Sequence, residues 1–234
     1  MKYLFFLAAH KRYDITLMCY RGLHRVIEYT KKTLPDASVD VFVVCSDQRH
    51  IELATAHGFY TSSIISNEPL GAKMNEGLRQ AKELQFDYLI QSGTDNLYTS
   101  AMLVNDDKYA KKGLQLFGQT SIYFYDTMGN RVKVYHGTNV FGAGRAISRR
   151  IVDGLEKLWP DDINKGLDNA SEKRIEDKFG FENVRAVPVC YSKTPIVIDL
   201  KSMTNIHNFE EVPGKSLDSY GFTIDILKAK FPEL

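Results

Sequence analysis

Over the first hundred residues, short apolar runs alternate with amphipathic stretches of helical length. Tyr3–Ala9, Val39–Cys45, Tyr60–Ile65 and Tyr88–Ile90 are the apolar runs, each read as a buried strand. Between the first two, Asp14 can cap a helix that carries Ile15, Cys19, Val26 and Tyr29 along one face and ends at Pro35-Asp36. A second helix covers about residues 49–56 and is closed by Gly58. In the third, Pro69 suits the first turn, and Met74, Leu78 and Ala81 supply the apolar face. Three strand–helix units in a row predict right-handed crossovers and a mainly parallel α/β sheet flanked by helices.

After Tyr98 the rhythm changes. Residues 100–112 are polar and helical in pattern, and Gln115–Tyr125 and Arg131–Tyr135 flank Asp126–Asn130 as a hairpin. The glycine-bearing stretch Asn139–Ser148 enters a helix with Ile151, Leu155 and Leu158 on one side, which Trp159-Pro160 ends. Gly166 opens another helix running to Phe179-Gly180. Strands at Val184–Cys190 and Ile196–Leu200 and a short helix near Ile224–Lys230 complete the reading. No repeat or linker interrupts it. The expected organisation is one domain, with residues 1–98 as a nucleotide-binding half and 99–234 as an added antiparallel and helical half.

Composition narrows the field only in part. At 234 residues, 44% of them hydrophobic, the chain can bury a substantial core. Thirty basic residues against 29 acidic give a net charge of +1, which does not announce a nucleic-acid binder. Cys19, Cys45 and Cys190 are widely spaced, with no zinc or disulfide pattern, and suit a cytoplasmic location. The apolar start, Tyr3–Ala9, is at the short limit of a signal-peptide core and is followed by His10-Lys11-Arg12, so it reads as a strand. No stretch approaches the roughly 18 apolar residues of a membrane span.

The stretch that carries chemistry is Phe86–Tyr98. Its strand stops at Ser92-Gly93-Thr94 and delivers Asp95 and Asn96 at its carboxyl end, where open α/β sheets bind ligands. Asp95 with a neighbouring oxygen can hold a divalent cation, or it can cap a turn. Lys73, near the start of the helix after Asn67, either adds charge to an anion site or decorates an exposed face. Asp168, near another helix start, is a natural N-cap.

Four stretches in this order resemble the GT-A glycosyltransferases, in particular small stand-alone relatives of the family-2-like inverting enzymes. They are Ala8–Arg12, Asn67–Gly77, Asp87–Asn96, and Gly142–Ser148 followed by Gly166-Leu167-Asp168. The resemblance covers roughly residues 2–200 and implies a GT-A fold, a Rossmann-like mixed sheet with an added acceptor half. It implies that Arg12 and Asp47 hold the base and ribose of a nucleotide sugar. Asn67, Gly71, Lys73 and Asn75 then belong to the segment that approaches the donor, and Gly142 to the one passing beneath the donor sugar.

Asp95 and Asn96 resemble the family's metal motif for Mn²⁺ or Mg²⁺, with one carboxylate where two are usual. His207 is a further ligand candidate, and His136 competes with it. Asp168 is the implied catalytic base, with Asp161 and Asp162 as substitutes. Tyr123, Phe124 and Tyr125 are expected either in the core or along an acceptor groove.

The leading expectation is therefore metal-assisted, inverting transfer of one sugar from a nucleotide-sugar donor to a hydroxyl acceptor. Acceptors left open are glycans, lipid-linked sugars, proteins and modified nucleic-acid bases. The chain lacks Gln-Xaa-Xaa-Arg-Trp, which argues against a processive synthase. The alternatives are a non-catalytic nucleotide-sugar-binding module, favoured by Asn96, and a sugar nucleotidyltransferase, which the first loop His10–Asp14 disfavours.

Overall fold

A computed structural model describes residues 1–184, 186–188, 196–202, 209–216 and 224–234. The first half builds β1 (Lys2–Ala9), α1 (Tyr13–Thr33), β2 (Ser38–Cys45), α2 (Gln48–Ala56), β3 (Tyr60–Thr61), α3 (Leu70–Ala81), β4 (Tyr88–Gly93) and β5 (Asn96–Tyr98). Then come α4 (Met102–Ala110), β6 (Leu116–Gly118), β7 (Ser121–Asp126), β8 (Arg131–His136), β9 (Arg145–Ser148) and α5 (Arg149–Gly154). The chain closes with α6 (Leu167–Phe179), α7 (Phe181–Val184), β10 (Val187–Pro188), β11 (Val197–Lys201), β12 (Lys215–Ser216) and α8 (Ile224–Lys230).

The main sheet has the order β10-β6-β9-β4-β1-β2-β3, and a second sheet has β12-β8-β7-β11-β5. β1 lies parallel to both β2 and β4 at the centre of the first sheet. Its residues point alternately to two cores, which is why the run is apolar throughout. Tyr3, Phe5 and Leu7 face Cys19, Tyr20, Leu23 and Val26 of α1. Leu4 and Phe6 face Met74, Leu78 and Ala81 of α3 together with Trp159, whose ring stacks on Phe6 at 5.8 Å between centroids.

Several expectations change. Asp14 lies in the first turn of α1, and Arg12, in the left-handed region (φ 49°), is the N-cap residue. The third strand is only two residues long. Gln115–Tyr125 is two strands rather than one, because the chain leaves the main sheet at Gln119-Thr120 and enters the second. The segment before α5 is not simply a loop. Arg145–Ser148 forms β9, wedged antiparallel between β4 and β6, and α5 stops at Gly154, before Leu155 and Leu158. Residues 181–184 are helical, leaving β10 to begin at Val187. Among the described residues no helix is long and apolar enough to cross a membrane.

Candidate active site

The carboxyl ends of β1 and β4 open into a cavity of about 360 Å³ that the second sheet closes from the other side. Asp95 stands in the turn between β4 and β5, and its Oδ2 accepts a 2.7 Å hydrogen bond from Arg12 Nη1. Arg12 reaches it because Lys11 and Arg12 are both left-handed (φ 51° and 49°), a conformation that costs side-chain-bearing residues energy and tends to persist at functional sites. Asn96 is buried, and its Oδ1 accepts from the Gly93 amide at 2.7 Å.

Asp168 lines the same cavity. It does not cap its own helix: Gly166, left-handed at φ 72°, is the N-cap residue of α6. The Asp168 carboxylate instead spans two donors, the Gly142 amide at 2.9 Å and Gln91 Nε2 at 2.8 Å. A Cβ on Gly142 would collide with that carboxylate, so the glycine is required for the approach. Behind it, the fully buried Arg145 donates to the Asp168 carbonyl (2.8 Å), Ser171 Oγ (3.1 Å) and the Val140 carbonyl (2.7 Å). Asp168 therefore sits on a fixed platform. It also borders a second cavity, of about 620 Å³, lined among others by Tyr135, Asn139, Phe141, Asn164 and Lys165.

Lys73 is neither exposed nor free. It is 1% exposed, and its Nζ donates to the Ala9 carbonyl, Ser46 Oγ and Asn67 Oδ1 at 2.6, 2.6 and 3.0 Å. Burial pulls its pKa down to about 8. The ammonium thus ties the ends of β1 and β2 to Asn67, which lines the cavity.

Asp47 caps α2 through the His50 amide (2.9 Å) and accepts from the Tyr13 hydroxyl (3.2 Å). Burial opposes its ionisation, but the His50 amide, the His50 ring and Tyr13 outweigh it and hold the carboxyl below the usual range. The Tyr13 ring stacks with the His50 ring (4.5 Å between centroids) and carries the Arg49 guanidinium over it (3.9 Å).

Other candidates lie elsewhere. Asn75 is fully engaged with the loop after α5: its Oδ1 accepts from the Leu158 and Trp159 amides, and its Nδ2 donates to the Trp159 carbonyl and to Asp161. Gly71 packs on the same loop, its amide 3.0 Å from the Ile163 carbonyl. Neither cavity is lined by Asp161 or Asp162. His136 is exposed on β8, 2.7 Å from Ser121 Oγ. Phe124 lines the smaller cavity, whereas Tyr123 and Tyr125 belong to the core beneath the second sheet. His207 lies outside the described residues.

Three side chains escaped the sequence reading. Gln91 was visible as a polar residue ending an apolar strand. His10 lines the cavity with a buried Nδ1 that has no partner, and burial, then Lys73 and Lys11, lower its pKa. Asp199 on β11 lines it too; burial and then the charge of Asp95 raise its pKa well above the usual carboxylate range.

This arrangement of strands and helices recurs in solved structures. S. aureus TarS 1–349 in complex with UDP-GlcNAc superposes with a TM-score of 0.61 at 11% identity, over 88% of this chain and 60% of that one. The mannosyltransferase PcManGT from Pyrobaculum calidifontis, in complex with GDP-Man and Mn²⁺, gives 0.59 at 11% identity, over 87% and 57%. Glucosyl-3-phosphoglycerate synthase from Mycobacterium tuberculosis, with Mn²⁺ and UDP-glucose, gives 0.50 at 14% identity, over 83% and 72%. The chain has the GT-A fold.

It spans 60% or less of the length of the first two relatives. No protein-family model and no curated protein sequence matches it. At these identities the GT-A likeness speaks for the fold. The chemistry has to be argued from the cavity.

Proposed function

We propose that the protein is a glycosyltransferase that moves one sugar from a nucleotide donor to a hydroxyl acceptor with inversion. The observation that carries this is that Asp95 and Asp168 line one cavity at the carboxyl end of a GT-A sheet. Asp95 serves the diphosphate side. Asp168, held by Gly142 and Gln91, serves the acceptor side and borders the second cavity.

In this reading the acceptor enters through the larger cavity with its hydroxyl directed at Asp168. The hydroxyl oxygen attacks the anomeric carbon as its proton passes to Asp168. The bond from that carbon to the diphosphate oxygen breaks, and its electron pair leaves with the nucleoside diphosphate. The Gly142 and Gln91 hydrogen bonds orient the carboxylate before the acceptor arrives. Tyr13, Arg49 and Asp47 form the polar and aromatic rim at the end of β2, suited to a base and ribose.

The residues present fit a divalent cation. A Cβ at Gly93 would collide with Asp95 Oδ1 and lie 3.1 Å from Asn96 Oδ1, so this glycine makes room for two hard oxygens side by side. Asp95 would hold Mn²⁺ or Mg²⁺ with Asn96, and His207 is a further candidate. When bound, the cation offsets the charge that develops on the departing diphosphate. Free thiols at Cys19 and Cys45 support a cytoplasmic location. Glycans, lipid-linked sugars, proteins and modified bases all present the required hydroxyl.

A panel of nucleotide sugars with Mn²⁺ tests the proposal. At least one should be consumed, and Asp168→Asn should bind that donor without turning it over. If no nucleotide sugar is bound or consumed at millimolar concentration, the reading fails. Donor binding without turnover in the wild-type protein would favour a nucleotide-sugar-binding module instead.

A further inference from the structure

Asp95 stands next to an amide where a second carboxylate would hold a cation far better, and the chain supplies that carboxylate from elsewhere. β11 pairs antiparallel with β5 so that Asp199 lies directly opposite Asn96, and the Leu200 amide donates to the Asp95 carbonyl at 2.8 Å. Asp199 and Asp95 thereby line the same cavity. One oxygen of Asp199, Oδ2, takes a 2.9 Å bond from Lys201 Nζ, two residues along the strand. The other, Oδ1, is buried with no hydrogen-bond partner.

A buried carboxylate oxygen without a partner is costly, because it has lost water and gained nothing in its place. Here it lies beside a second carboxylate, so the repulsion between the two adds to the cost. The basic neighbours relieve this only in part. Arg12 holds one oxygen of Asp95 and Lys201 one oxygen of Asp199.

We propose that Asp199 is the second carboxylate of the cation site centred on Asp95. Two negative oxygen ligands from opposite strands then meet one divalent ion, and the diphosphate and water complete the shell. Among the described residues no three His, Cys, Asp or Glu side chains gather around a metal position, so the site needs those additional oxygens. Lys201 competes with the ion for Asp199 and keeps the apo site from carrying an unbalanced charge. The inference rests on the cation-assisted reading of the cavity.

Mn²⁺ binding to the whole chain, followed by electron paramagnetic resonance of free Mn²⁺ with and without UDP, tests it without any turnover. Asp199→Asn and Asp95→Asn should each weaken Mn²⁺ binding by roughly tenfold or more. Lys201→Met should tighten it, by removing the competing ammonium. Thermal melting of each variant reports whether it is folded, and Lys201→Met gives a readout should Asp199→Asn not fold. If Asp95→Asn weakens binding while Asp199→Asn stays within about twofold of wild type, Asp199 is no ligand and the inference is overturned. If Lys201→Met leaves affinity unchanged, it is overturned as well. Absence of Mn²⁺ binding by the wild type, even with UDP, overturns the cation-assisted reading together with it.

Discussion

Replacing Lys73 by Met should make stability respond differently to alkali. The buried ammonium has a folded pKa of about 8, against 10.5 for an ordinary lysine. Because the folded value is lowered, the charged form is penalised in the native state. The penalty is fully present below pH 8 and relieved as pH rises from the folded value to the unfolded one. Between those values the unfolded chain holds more protons than the native one, so this residue makes stability rise with pH. Integrating from pH 7 to pH 9.5 gives a gain of about 2 kcal/mol in the wild type that the Met variant cannot show.

The assay is urea unfolding of both proteins at the two pH values. Taking the difference between them cancels the tyrosines and cysteines that titrate in the unfolded chain. The wild-type advantage over Lys73→Met should grow by about 2 kcal/mol at the higher pH. A gap that stays constant within about 0.5 kcal/mol would refute the argument. It would mean that the three oxygens around Nζ satisfy the ammonium as well as water does.

Other consequences are open to measurement. Trp159→Ala removes a fully buried ring stacked on Phe6 and should destabilise the fold by about 3–5 kcal/mol in denaturant titrations. Lys11→Gly relieves an exposed left-handed residue and should raise stability by about 1 kcal/mol; a loss of stability there would remove the case for backbone strain. Gly142→Ala displaces the Asp168 carboxylate and should lower transfer by about 100-fold while leaving donor affinity within a few-fold; unchanged turnover would show that Asp168 tolerates the shift.

What the chain discloses in one dimension follows from what is local. β1, β2 and α3 were legible because their partners lie on the two faces of one sheet, and period alone reveals which residues face in. β9 was not, since Arg145–Ser148 is four residues long and opens with a charge. Arg145 is tolerated there because the Asp168 and Val140 carbonyls and Ser171 accept from its terminal nitrogens and Glu172 lies 3.5 Å away, partners that a local pattern does not reveal. The break between β6 and β7 is marked by the non-apolar Gly118-Gln119-Thr120-Ser121, but such an interruption does not say that the next strand joins another sheet.

The same limit applies to the cavity. Asp95 could be found from the strand that ends before it, whereas Asp199 sits within a strand whose neighbour no pattern specifies. Lys73 and Asn75 share one helix and differ in which loop their side chains meet, so the resemblance assigned both to the donor. In the structure Lys73 bonds to Asn67, which lines the cavity, while Asn75 fastens the loop at Trp159.

The most direct test of the account is the fate of a nucleotide sugar in the presence of Asp168→Asn. With Mn²⁺ and an acceptor, the wild type should release nucleoside diphosphate and form a product whose anomeric configuration, read by proton NMR, is opposite to the donor's. Asp168→Asn should bind the same donor with similar affinity and transfer at least about 100-fold more slowly. Wild-type turnover retained by the variant, or a product with the donor's own configuration, would rule out Asp168 as the base of an inverting transfer.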